Sequence, residues 1–258
     1  MREEQGRITG HIRVGTRGHE VKVAVITPYY KEDIHTLTRC ITSVAQQTYG
    51  NVHHFLVADG YPYDDMSGYP RMTHITLPHC GDYGDAPRAV GCAVASAQEF
   101  DAIALLDADC WFEPDHIARM AGVMESSGRE IITCPRNLFR VDGSFMAVDT
   151  ESDGYNFNDM NCYLIKRSGY HHLRTLMAKP KEHSIIDDRF LWASIKENFY
   201  STARSTRPTV NYTTTFAFHY QLNNEQPPAD SKVIADIGQG LQMYSYKALC
   251  EIQSTTVL

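Results

Sequence analysis

Residues 102–109 read AIALLDAD, an apolar run that ends in two aspartates one residue apart. Ala102 to Leu106 carries no polar residue, the pattern of a short strand buried on both faces. Side chains two apart in an extended chain point to the same side, so the spacing turns Asp107 and Asp109 toward one pocket. In open α/β sheets, ligands bind outside the carboxyl ends of the strands, which is where this pair falls. Two carboxylates would repel an anionic ligand, and the arrangement makes sense with a hard divalent cation between them. An exposed D-x-D in a solvated loop is the ordinary alternative.

The chain on either side of this stretch alternates strand and helix patterns. Val23 to Thr27 (VAVIT) and Val52 to Ala58 (VHHFLVA) read as buried strands, and Thr73 to Leu77 as a short one. Between the first two, Ile34, Leu37, Ile41, Val44 and Ala45 recur at helical spacing behind Asp33, a capping residue. Pro87 and Pro114 each read as a helix start, with Val90, Ala93, Val94 and Ala97 and then Ile117, Met120, Ala121 and Met124 on the inner faces. Glu130 to Cys134 is the next strand. Such alternation with short connections means parallel strands joined by crossover helices. Beyond about residue 135 the pattern loosens. Residues 140–160 read as loops, Asn161 to Lys166 as a strand and Asp187 to Asn198 as a helix. Thr209 to His219 reads as β, and Val233 to Leu249 as a C-terminal helix weakened by Gly238 and Gly240.

The length of 258 residues fits one large domain, and 43% hydrophobic with 21% charged residues is ordinary for a globular core. The net charge of −7 argues against a protein that coats nucleic acid, which needs a basic face. Seven cysteines with no C-x-x-C pair argue against a disulfide framework or a structural zinc site. No stretch reaches the roughly 18 apolar residues of a membrane helix, and the N-terminus has no apolar signal region. A cytoplasmic protein is expected, with peripheral membrane contact and homo-oligomer formation left open.

Other residues fall on the same predicted edge as Asp107. Asp59-Gly60 ends the second strand, although Asp-Gly is also a routine turn pair. Tyr30, after the first strand, can stack on a nucleobase or pack over a helix start. Arg88 follows a helix start where a phosphate would be favoured, or it pairs locally with Asp82 or Asp85. Asp187-Asp188 opens an apolar helix, where one acid serves as a cap or as a general base. Tyr155, Asn156, Asn158, Asp159 and Asn161 could line a polar groove or form a solvated loop. His53-His54 and His171-His172 lack metal spacing and read as structural or surface. No G-x-G-x-x-G, Walker or G-x-S-x-G sequence occurs.

As an ordered set, VAVITPYYKE, SVAQQTYGN, FLVADG, GDAPRAVGCAVA, LLDADCWFEPDHI and IIDDRFLWASI resemble the family 2 glycosyltransferases over about residues 21–200. The resemblance implies a GT-A type three-layer α/β/α sandwich with a mostly parallel central sheet and a small antiparallel acceptor-side part. It divides the single unit into a nucleotide-sugar half, 21–135, and an acceptor half, 136–258. By position it implies that Pro28, Tyr30, Glu32, Asp59, Arg88 and Asp107 hold the nucleotide. Asp109, with His219 as a further ligand, would hold Mn²⁺ or Mg²⁺, and Asp188 is the general base beside Asp187. The implied activity is inverting transfer of a hexosyl or N-acetylhexosaminyl group from a UDP-sugar to a glycan or lipid-linked hydroxyl, as in polysaccharide biosynthesis. A non-catalytic nucleotide-sugar-binding partner and a sugar-phosphate nucleotidyltransferase are the alternatives. Ala58, Ala89 and Cys110 depart from the family's usual residues. Val14-Gly15-Thr16-Arg17 resembles part of a pyrophosphorylase loop but precedes the first strand instead of following it.

Overall fold

The computed structural model describes residues 20–66, 68–197, 201–236 and 240–255; Val14 to Arg17, Asn198 and Ile237 to Gln239 lie outside them. The first half follows the alternation read from the sequence: β1 (Val23–Tyr29), α1 (Ile34–Ala45), β2 (Val52–Asp59), β3 (Met72–Leu77), α2 (Asp85–Ala97) and β4 (Ala102–Leu105). Asp33 caps α1 by accepting from the backbone N–H groups of His35 and Thr36. Helix α2 begins two residues before Pro87, which the first turn tolerates because its N–H groups have no intrahelical partner. After β5 (Trp111–Phe112), helix α3 (His116–Ser127) starts just past Pro114 and leads to β6 (Ile131–Thr133).

The second half contains β7 (Arg136–Phe139), β8 (Phe145–Val148), β9 (Tyr163–Lys166), α4 (Asp187–Lys196), β10 (Thr202–Arg204), β11 (Val210–Thr213), α5 (Ala217–Leu222), β12 (Lys232–Asp236), β13 (Leu241–Ser245) and α6 (Tyr246–Thr255). Three sequence expectations fail here. Residues 140–160 are not all loop, because β8 folds back on β7 across a turn in which Asp142 accepts from the Ser144 N–H. The run Thr209 to His219 is strand only to Thr213. The Thr214 hydroxyl then accepts from the Phe216 N–H, a local bond that competes with the ladder, and the chain turns into α5 with His219 on it. The stretch from Val233 is not one helix but a hairpin of β12 and β13 followed by α6, with Gly240 at φ +86°.

Among the described residues the main sheet runs β10-β6-β9-β4-β1-β2-β3, with every neighbouring pair parallel except those involving β9. The strands β5-β11-β7-β8 form a separate, smaller sheet. Strand β1 shows why the pattern demanded two covering layers. Val23 and Val25 pack toward α1 and α3, while Ala24 and Ile26 pack toward α2 and α4. A fully buried Ile contributes about 1.5–3 kcal/mol, so strands apolar on both faces are stable only between helices. All seven cysteines are free thiols. The two histidine pairs serve structure: His54 bonds Thr27 at 2.8 Å and is held down to about 3 by burial, and His172 bonds Ser194 at 2.8 Å. No helix among the described residues is long and apolar enough to cross a membrane.

The contact between α2 and the sheet is close at Gly91, where a Cβ would lie 2.5 Å from Ile26 Cγ2 and 3.3 Å from Val57 Cγ2. Ala is about 1 kcal/mol better than Gly in a helix, but overpacking a rigid core costs about 1–3 kcal/mol. Ile26 is β-branched and fully buried, so it cannot swing aside. Gly91→Ala is expected to lower the thermal midpoint by a few degrees; an unchanged or higher midpoint in calorimetry would show that the layer yields.

Candidate functional site

The carboxyl ends of β1, β2 and β4 open into a cleft of about 560 Å³. Pro28, Tyr30, Glu32, Asp59, Arg88, Asp107, Asp109, Asp187 and Asp188 all line it, so nine of the ten residues singled out from the sequence share one cavity. His219 does not. It is buried on α5, with Nδ1 2.6 Å from the Thr214 hydroxyl and Nε2 3.4 Å from an Arg136 nitrogen. Burial and the neighbouring Arg136 hold the ring down to about 4, so it is neutral and spent on those partners.

Arg88 joins two sides of the cleft. Its Nη2 donates to Asp107 at 2.5 Å, and its Nη1 donates to Asp187 at 3.0 Å and to the Tyr83 carbonyl at 3.1 Å. The local partners allowed by the sequence are taken elsewhere, since Asp82 accepts from the Ala86 N–H and Asp85 pairs with Lys179. Gly84, at φ +91°, precedes α2 and lets the guanidinium lie close; a Cβ there would sit 3.2 Å from both Arg88 Nη1 and the Pro28 ring.

Asp107 is fixed from the other side by Asn161. The Asp107 N–H donates to Asn161 Oδ1 at 2.5 Å, and Asn161 Nδ2 donates to Asp107 Oδ2 at 2.9 Å and to Asp159 Oδ1 at 2.8 Å. Burial acts to raise the Asp107 carboxyl, but the adjacent Arg88 charge and these bonds hold it below its ordinary value. Among the described residues Asp109 has neither an arginine nor an amide partner, and its Oδ1 accepts only from the Cys110 thiol, at 3.3 Å. Burial first, and then the Asp107 charge, push Asp109 up to about 6. Its backbone is anchored, with its carbonyl accepting from Arg39 at 2.8 Å and from the Thr213 hydroxyl at 2.9 Å.

Asp107, Asp109 and Cys110 bring one ligand atom each within 4.8 Å of one another. Burial drives the Cys110 thiol well above its ordinary value, so it stays protonated and is a poor ligand for a hard cation. The two carboxylates suit such an ion. A divalent charge would offset both the burial and the Asp107 repulsion that keep Asp109 high.

The acids at the start of α4 differ in partners. Asp187 is paired with Arg88, and its Oδ1 accepts from the Asp188 N–H at 2.7 Å. Among the described residues Asp188 accepts only from the Arg189 N–H, at 2.8 Å, and burial first, then Asp159, push it up to about 6. Neither acid is the cap of α4, whose capping position is Ile186 with no side-chain bond. Toward the cleft mouth, Tyr30 stacks on His79 at 4.7 Å and meets Tyr61 edge-on at 5.0 Å. Glu32 accepts from the Tyr30 N–H at 2.7 Å. Asp59 accepts from the Cys80 N–H at 2.5 Å and from the Gly81 N–H at 3.4 Å, which draws residues 79–81 over the strand end.

Of the polar residues between 155 and 161, Asp159 lines the cleft and Asn161 lies behind it, whereas Asn158 is turned to Arg204 at 3.2 Å and Tyr155 is exposed. Sequence reading missed Arg136, which forms an ion pair with Asp159, a 2.7 Å bond to Asp149 and a cation–π contact with Tyr212. It also missed Tyr212, Thr215, Phe216, Lys232 and Met243 in the lining. No local motif marks these residues. The two missing clues were the turn after Thr213 and the reversal at Gly240.

The chain resembles S. aureus TarS in three solved forms. TarS itself superposes with a TM-score of 0.60 at 13% identity, covering 78% of this chain and 38% of that one. TarS 1–349 in complex with UDP gives 0.56 at 14% identity, over 79% of this chain and 63% of that one. The complex with UDP-GlcNAc gives 0.55 at 13%, over 75% and 59%. At such identity the likeness is one of fold, a mixed α/β architecture with a mostly parallel sheet. The succinoglycan biosynthesis protein ExoW of Rhizobium meliloti (strain 1021) is 33% identical over 104 residues, 37% of this chain and only 32% of that relative's length. The pattern of glycosyl transferase family 2 matches residues 24–191, which is more than half of the chain and includes both acidic motifs, so the chain belongs to that family.

Proposed function

We propose that this chain is an inverting glycosyltransferase that moves a hexosyl or N-acetylhexosaminyl group from a UDP-sugar to a hydroxyl of a glycan or lipid-linked acceptor. The observation that carries this reading is the division of labour among the cleft carboxylates. Asp187 is bonded to Arg88, Asp107 is held by Arg88 and Asn161, and among the described residues Asp188 faces the same cleft with no ion pair. A base for a single displacement needs a carboxylate that is free to accept a proton, and Asp188 fits. The UDP and UDP-GlcNAc complexes of TarS support the donor class, and the name of ExoW supports polysaccharide synthesis.

In this scheme residues 21–135 bind the donor and residues 136–258 shape the acceptor side. Tyr30 offers a face to the nucleobase, with Pro28, Glu32 and Asp59 around it. Asp109, with Asp107 beside it, would hold Mn²⁺ or Mg²⁺, which when bound neutralises the donor diphosphate. Asp188 accepts the proton of the acceptor hydroxyl while that oxygen bonds to the anomeric carbon and the bond to the diphosphate breaks. Arg88 keeps Asp187 and Asp107 in place for this step.

Asp188→Asn is expected to reduce transfer by about 10²- to 10⁴-fold while leaving nucleotide binding nearly intact; transfer at the wild-type rate would remove Asp188 from the role. Because Asp188 acts ionised and burial lifts it to about 6, kcat/KM should climb as pH rises through about 6 and fall below it. A limb near 4, the unperturbed carboxylate range, would contradict the burial account. Chelation with EDTA should abolish transfer and added Mn²⁺ should restore it, whereas activity indifferent to both would remove the metal from Asp109.

A further inference from the structure

A diphosphate entering this cleft meets mostly carboxylates, and the cations available to receive it are few. Among the described residues that line the cavity, the cationic side chains are Arg88, Lys232 and, when protonated, His79. Arg88 has both terminal nitrogens committed to Asp107, Asp187 and the Tyr83 carbonyl. His79 lies against Asp59 at 3.3 Å. Lys232 is different: among the described residues its ammonium forms no ion pair and lies 5.8 Å from the centre of the Phe216 ring. That is a long cation–π contact, and it leaves the three N–H donors of the ammonium free of any hydrogen bond among the described residues.

The fold delivers Lys232 to this place by backbone bonds. Its N–H donates to the Thr215 carbonyl at 2.7 Å, and it pairs with Phe216 in an isolated bridge, which ties the start of β12 to the cleft wall. On the other strand of the hairpin, Met243 also lines the cavity, and β13 packs against residues 181–186, the segment that leads into Asp187. The hairpin therefore presents a free cation across from the acidic pair, at a position beyond residues 24–191, where the family pattern matches.

Resting on the donor reading above, we propose that Lys232 is a ligand of the donor diphosphate and stabilises it as the leaving group. The acceptor oxygen bonds to the anomeric carbon, and the bond from that carbon to the diphosphate oxygen breaks with its electron pair passing to the diphosphate. The acceptor proton goes to Asp188. The Lys232 ammonium donates hydrogen bonds to the phosphate oxygens as their charge grows and keeps its own protons.

The test compares UDP with uridine, both with Mn²⁺, on the wild-type chain, Lys232→Met and Lys232→Arg by calorimetry. Loss of one charge-assisted hydrogen bond at an exposed site predicts UDP binding weaker by about 10-fold in Lys232→Met, uridine binding unchanged, and substantial recovery in Lys232→Arg. The same order should hold for kcat. An equal UDP-to-uridine ratio in wild type and Lys232→Met would overturn the proposal while the donor reading stood. Should the wild-type chain bind none of UDP, GDP or dTDP, the donor reading fails first and takes the proposal with it; binding of GDP or dTDP instead moves the comparison to that nucleotide and its nucleoside.

Discussion

The site depends on one guanidinium shared between two aspartates. Arg88 sits in the first turns of α2, Asp107 follows β4, and Asp187 opens α4, so three separate elements meet at one cation. Removing a partner from a buried pair of this kind typically costs about 3–5 kcal/mol, because it strands an uncompensated charge. Without Arg88, Asp107 and Asp187 would repel each other across the cleft. With it, both carboxylates are held in fixed positions, and among the described residues the neighbouring Asp109 and Asp188 form no ion pair of their own.

Those two free acids share an origin for their raised proton affinity. Each is half-buried near another carboxylate, Asp109 by Asp107 and Asp188 by Asp159, and among the described residues neither has an arginine bonded to it. One is suited to a divalent cation and the other to a proton. Asn161 couples the two regions by bonding Asp107 and Asp159 at once, while Arg136 holds Asp159 from beneath. The cleft is thus a connected set of charges and not a row of independent acids, which is why a cation on the facing hairpin matters.

Strand β9 explains how Asn161 reaches that position. It is the antiparallel member of the main sheet, so its N-terminal end lies beside the C-terminal end of β4. The register pairs Ala104 with Leu164, and just past the end of that ladder the side chain of Asn161, in the 3-10 turn that leads into β9, bonds Asp107. In a parallel arrangement Asn161 would fall at the other edge of the sheet. The sequence shows a strand from about Asn161, but its direction is set by pairing with β4 and β6, residues distant along the chain.

What the sequence by itself determined is the nucleotide-side framework: strands β1, β2 and β4, helices α1 and α2, and the acids at the strand ends. These rest on local causes, namely apolar runs that need two covering layers, a capping Asp33, and side chains that alternate along a strand. Tyr30, Asp59, Arg88, Asp107, Asp109, Asp187 and Asp188 were legible because each lies near the end or the start of such an element, and the resemblance to the family added Pro28 and Glu32 and joined them into one group. Only the tertiary structure decided their partners. It took Arg88 away from Asp82 and Asp85, turned His219 toward Thr214 and Arg136, and brought Lys232 in on a hairpin where a helix was expected. The physical reason is the same in each case: a charge in a water-poor cleft pairs with whichever opposite charge the packing brings nearest, and that neighbour is set by the meeting of distant elements.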